Sequence, residues 1–257
     1  MNSTHPPLSC TRAERGQAWA VHLFTTVGII FGCLALQAVL DERPDLAIIY
    51  LMVTIVIDGV DGPIARALGV KERVPRINGY VLDLIIDFVT NAIVPAAFIY
   101  QFGLVPGNAF GLAVIGLMAL TSAIWFSRND MMTDDNFFRG FPAAWNMVAP
   151  LLLLLNANDT VGSIVIIALS VAQLTNMPYP HIMRAQFLRP ITLLAALLWL
   201  GGLIVGAAVL PETPGWLQAV LVVSSLWFVL LAGIKTVRDL SGRRRAAEPK
   251  DEALATP

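Results

Sequence analysis

Ile57-Asp-Gly-Val-Asp-Gly-Pro-Ile-Ala-Arg66 and, twelve residues further on, Gly79-Tyr-Val-Leu-Asp-Leu-Ile-Ile-Asp87 place four aspartates at the adjoining ends of two apolar runs. Each run is long enough to be read as a membrane-spanning helix. Asp58 and Asp61, three apart, share one helix face, and so do Asp83 and Asp87, four apart. All four carboxylates can therefore converge between two neighbouring helices. A bare carboxylate at hydrocarbon depth costs roughly 2.5 to 3.5 kcal/mol even on insertion scales, so the group needs a partner. Oxygen-only donors in this number suit one or two Mg²⁺ or Mn²⁺ ions. A single Asp–Arg pair could be structural, but four acids have only Arg66 close to them in sequence. Gly62, Ala65 and Gly79 remove bulk beside the acids, which lets a large ligand or a second helix approach the backbone. Arg66, one turn beyond Asp61, can hold phosphate oxygens.

Working outward, the 257 residues are 56% hydrophobic and 14% charged, which excludes a soluble domain and indicates an all-α polytopic membrane bundle. Apolar runs predict eight transmembrane helices, at 18–40, 46–65, 79–101, 108–127, 141–156, 160–177, 190–210 and 215–236. With that topology, sixteen of the seventeen Lys and Arg residues fall on one side and Arg43 alone on the other. Positive charge collects in short cytoplasmic loops, so both termini are expected in the cytoplasm and the acids near the cytoplasmic face. Residues 1–17 and 238–257 read as tails, the second basic through Arg243, Arg244 and Arg245, and 18–237 as one membrane domain. Cys10 and Cys33 offer no disulfide framework, and no nucleic-acid partner is indicated. The polar connections 67–78, 127–140 and 178–189 are the long ones, so function is expected on their side.

The acidic stretch resembles the signature of the CDP-alcohol phosphotransferases, D-x2-D-G-x2-A-R-x8-G-x3-D-x3-D. The fixed positions are present as Asp58, Asp61, Gly62, Ala65, Arg66, Gly79, Asp83 and Asp87. One departure is the spacer between Arg66 and Gly79, twelve residues in place of eight. The spacer Val70-Lys-Glu-Arg-Val-Pro-Arg76 is similar to that of the bacterial branch of the family that forms phosphatidylcholine. Ala20-Val-His-Leu-Phe-Thr25 and Asp135-Asn-Phe-Phe-Arg-Gly-Phe-Pro-Ala-Ala-Trp-Asn146 are similar to it as well.

That resemblance implies transfer of a phosphatidyl group from CDP-diacylglycerol to choline, with CMP released, at two divalent ions in the bacterial inner membrane. It implies Asp58, Asp61 and Asp83 as metal ligands, and Asp83 and Asp87 as the catalytic pair, with Asp87 a further ligand or the general base. Gly62, Ala65, Arg66 and Gly79 would border the cytidine diphosphate, with His22 and Thr25 beside the nucleotide. Arg139 and Arg184 are candidates for steering the lipid phosphate, and a homodimer is in keeping with the family. Choline's quaternary ammonium calls for aromatic faces, for which Tyr80 and Trp145 are the candidates. Two other readings stay open at this point. One is a different acceptor alcohol, serine, glycerol 3-phosphate or inositol. The other is an ion-coupled transporter, although neither an inverted repeat nor a broken helix is evident.

Overall fold

The computed structural model describes residues 11–182, 186 and 188–247. The chain forms α1 (Arg12–Leu40), α2 (Pro44–Ala67), a single-turn α3 (Val70–Arg73) and α4 (Gly79–Phe88), which runs through a π-helical turn (Val89–Ile93) into α5 (Val94–Gln101). Then come α6 (Ala109–Phe126), β1 (Phe137–Arg139), α7 (Trp145–Leu154), α8 (Asp159–Gln173), β2 (Pro178–Pro180), α9 (Arg189–Val209) and α10 (Gly215–Ala247). Polar residues start the helices where orphan backbone donors need acceptors. Thr11 and Glu14 form a reciprocal capping box on α1, and Asn78, Asn108 and Asn158 cap α4, α6 and α8.

Among the described residues, six helices are long and apolar enough to cross a membrane: α1, α2, the joined α4–α5, α6, α9 and Gly215–Asp239 of α10. The expected fifth and sixth spans are α7 and α8, of only 10 and 15 residues, short of the about 20 that a hydrocarbon core asks for. The cause is local. Pro142 and the left-handed Ala143 (φ 53°) keep the lead into α7 out of the helix, and Asn156 (φ 55°) turns the chain tightly between the two. Even so, this hairpin reaches far. A Cβ on Gly162 would stand 1.9 Å from the Leu104 carbonyl oxygen, and Gln218 donates to the Leu154 carbonyl at 3.0 Å. Its tip therefore lies beside the α5–α6 and α9–α10 turns.

The core is mostly apolar, with Ile48, Leu51, Phe98, Met118 and Leu203 fully buried among helices. Outward residues such as Leu23, Leu197, Val223 and Val229 remain exposed and apolar, the surface lipid would cover. Two features place the site. The longer spacer folds back: Gly69, left-handed at φ 55°, starts α3, whose Val70 packs with Val74 against Ala18 and Val21 of α1. Arg73 ties that turn to Glu14 at 3.3 Å. At the same end, β1 and β2 pair antiparallel with Phe138 opposite Tyr179, joining two connections that the sequence presents only as loops. Lys235 of α10 fastens this sheet, 2.8 Å from Asp135 and over the Phe137 ring. The fold is thus all-α in class, as expected, with a two-stranded sheet among the described residues as a local addition.

Candidate active site

Three helices build the acidic site, because α1 crosses α2 and α4 where small residues let it come close. A Cβ on Gly28 would meet Ile86 at 3.3 Å, and one on Gly32 would meet Thr90 at 2.9 Å. The cavity between them is lined by Thr25, Thr54, Asp58, Asp61, Asp83, Asp87 and Thr90, with Gly28, Ile57 and Ile86. Its volume is about 10 Å³, the space of roughly one water-sized sphere. One carboxylate oxygen each from Asp58, Asp83 and Asp87 lie within 4.8 Å of one another. Asp61 lines the same cavity outside that trio and is buried, whereas Asp58 is exposed and Asp83 and Asp87 are half-buried.

At such a separation each pair of ionised carboxylates repels by about 3 kcal/mol with an effective dielectric near 20. Thr25, Thr54 and Thr90 donate their hydroxyl hydrogens to carbonyls of their own helices, those of Val21 (3.3 Å), Leu51 (2.7 Å) and Ile86 (3.0 Å). The hydroxyls accordingly have only oxygen lone pairs left to offer the cavity. A site lined by acceptors, oxygen-only and ion-sized, fits a hard divalent cation.

Around this trio the remaining signature residues take separate positions. The Arg66 guanidinium folds over Gly62, where a Cβ would stand 3.2 Å from its Nη1. Pro63 lacks the amide that Gly59's carbonyl would otherwise receive, loosening the last turns of α2 beside Asp61. Ala65 packs against the α1–α3 cluster. Gly79 begins α4 directly against His22: a Cβ there would lie 3.2 Å from the ring's Cε1. His22 is only 7% exposed, and its Nε2 meets no hydrogen-bond partner among the described residues.

The other candidates lie outside the cavity lining. Arg139 sits in β1, 3.9 Å from Asp130. Asp130 also accepts from Arg128 at 2.9 Å, and that guanidinium holds its carboxyl below the usual carboxylate range. Tyr80 projects outward from α4, 58% exposed. Trp145 is fully buried, edge-on to Phe141, and its indole donates to Ser122 Oγ at 2.8 Å. Arg184 lies outside the described residues. Thr54 and Thr90 escaped the sequence reading, although their helical spacing from Asp58 and Asp87, four before and three after, puts them on the same faces.

Residues 20–175 match the model of the family described as CDP-alcohol phosphatidyltransferase. Among curated relatives, the phosphatidylcholine synthase of Pseudomonas aeruginosa is 35% identical over 225 residues, 88% of this chain and 92% of the relative. That of Agrobacterium fabrum is 35% identical over 85% of this chain and 90% of its own length. That of Rhizobium meliloti is 32% identical over 88% of this chain and 94% of its own length.

Proposed function

The chain belongs to the CDP-alcohol phosphatidyltransferase family, and from that membership we propose that it transfers the phosphatidyl group of CDP-diacylglycerol to choline, forming phosphatidylcholine and releasing CMP. The observation that carries the reading is the convergence of Asp58, Asp83 and Asp87, all signature positions, in a chain whose full-length relatives bear the name phosphatidylcholine synthase.

Asp58, Asp61, Asp83 and Asp87 would hold Mg²⁺ or Mn²⁺, two ions for this family. Bound there, the ions would neutralise the pyrophosphate and stabilise CMP as leaving group. The protein's own residues do the rest. Arg66, with Gly62 and Ala65 leaving the backbone open beneath it, binds phosphate oxygens, while Gly79 lets His22 reach the nucleotide side with Thr25 below it. Asp87 accepts the proton of the choline hydroxyl as the choline oxygen attacks the phosphorus that bears the diacylglycerol. The bond from that phosphorus to CMP breaks, and no covalent enzyme intermediate forms. Tyr80, exposed on α4, would offer the ammonium an aromatic face, whereas the Trp145 ring is fully buried. Arg139 in β1 would draw the lipid phosphate toward this end, a role the sequence also offers to Arg184.

In the membrane, the site opens on the cytoplasmic face of the bacterial inner membrane with both termini on that side. The sorting of sixteen of seventeen basic residues supports this. The reach of the α7–α8 hairpin to the far turns supports eight passes, two of them through a thinner part of the bundle.

Incubating purified protein with CDP-diacylglycerol and each of choline, serine, inositol and glycerol 3-phosphate tests the reaction. Choline alone should yield labelled lipid with stoichiometric CMP. Incorporation of serine but not choline refutes the acceptor, and substrate flux without CMP release returns the transporter reading. His22→Ala should raise KM for CDP-diacylglycerol about tenfold, the worth of one hydrogen bond of about 1.4 kcal/mol, and leave KM for choline unchanged. An effect confined to choline would remove His22 from the nucleotide side.

A further inference from the structure

One turn beyond Asp87 the helix changes pitch. Val89–Ile93 forms a π-helical turn, a feature that costs regular hydrogen bonding and recurs at functional sites. Asn91 stands in that turn. Four residues on from Asp87, its side chain lies on the face of that carboxylate, and its Oδ1 accepts a short hydrogen bond from Nδ2 of Asn146. Since the carbonyl end of Asn91 is turned to Asn146, the end turned to Asp87 is the amide NH₂, a donor.

Asn146 is itself held tightly. It is 3% exposed and sits in the first turn of α7, next to Trp145, which is anchored to Ser122. Just before them Ala143 carries a left-handed φ of 53°, a conformation costing an alanine roughly 1 kcal/mol or more and retained only where the surroundings impose it. The strained lead, the buried indole and the π-turn have one joint outcome: a donor on α7 is aimed at an amide on α4–α5, which is aimed in turn at one acid of the trio.

We propose that Asn146 and Asn91 form a two-amide relay that positions Asp87, occupying one of its oxygens so that the other is presented to the shared acidic cavity. Both are positioning residues acting through Asp87. The inference rests on the reading of that cavity as a phosphatidyltransferase site. Neither residue is a signature position, and the geometry requires the amide at 146 as donor: with it gone, Asn91 is free to rotate and turn its carbonyl on Asp87.

The test uses full-length protein in detergent and the variants Asn146→Ala, Asn91→Ala and the double. Outer-shell partners of metal-holding residues are worth about 10–100-fold in metal affinity or activity. Each single variant should therefore bind Mn²⁺ about tenfold more weakly, read by the EPR signal of free ion in a titration without substrates. Each should also lose at least about tenfold in kcat while KM for CDP-diacylglycerol stays within about twofold. The double variant should match either single, because both interrupt one chain. Wild-type Mn²⁺ affinity in both single variants overturns the relay, and so do losses that multiply in the double. A melting temperature that falls together with both readouts, and a KM that rises with them, would assign the pair to packing and overturn it too. Failure of the underlying function is separable, since it shows as a wild-type protein that makes no phosphatidylcholine.

Discussion

Asp87→Asn is expected to lower kcat for phosphatidylcholine formation by about 10²–10⁴-fold, the range a positioned general base contributes, with KM for CDP-diacylglycerol within about twofold of wild type. The amide keeps the size of the carboxylate and cannot take the choline proton. It also removes one of three carboxylates crowded within 4.8 Å, so the metal-free protein should melt no lower than wild type and the two can be compared at equal folded fraction. Steady-state kinetics on purified protein give the first result and thermal unfolding without metal gives the second. Loss of CDP-diacylglycerol binding in parallel with kcat would make Asp87 chiefly a metal holder. A full-speed variant would remove it from the chemistry.

The acids were legible in the sequence because a carboxylate in an apolar run has no neutral explanation, and because spacings of three and four are the period of the helix that carries them. The long helices were legible for the same reason. The expected 79–101 span is Gly79–Gln101, and the expected 108–127 span is Ala109–Phe126. Where apolar composition persists but the backbone turns, an apolar run exceeds the helix it contains. Phe141 to Ala144 are apolar enough to extend a span, yet Pro142 and the positive φ of Ala143 keep them out of α7.

The short sheet stayed hidden because β2 is Pro178-Tyr179-Pro180, two residues without an amide donor flanking one with it, which argues against a strand unless a partner is supplied from elsewhere. Periodicity is equally blind to the π-turn. Asn91 reads as a polar interruption in an apolar run; its spacing of four puts it on the face of Asp87, but nothing in the sequence pairs it with Asn146. The signature residues thus reveal the chemistry, whereas the groups that hold them in place come from remote segments whose meeting depends on the whole bundle. The twelve-residue spacer illustrates the same point. Its extra length becomes α3, docked on the start of α1 through Val70 and Val74, in the same stretch of α1 that carries His22.

Asp83→Asn should cost roughly 10³-fold or more in turnover, beyond the roughly 10–100-fold typical of outer-shell partners, because it removes a carboxylate from the trio itself. Chelation should do the same to the wild type: with EDTA in excess, CMP release should fall to background and return on adding Mn²⁺ or Mg²⁺. The two experiments constrain each other. Three carboxylates facing acceptor hydroxyls repel by about 3 kcal/mol per ionised pair, so the arrangement gains most from a bound cation and least from its absence. In Asp83→Asn the cation loses an anionic ligand, so added Mn²⁺ should restore activity only at concentrations about tenfold or more above those that saturate wild type. Measuring CMP release across an Mn²⁺ series in both proteins decides the matter. Activity that survives chelation, or an Asp83→Asn variant with the wild-type metal profile, would detach the acidic cavity from the reaction and leave it a structural feature of the bundle.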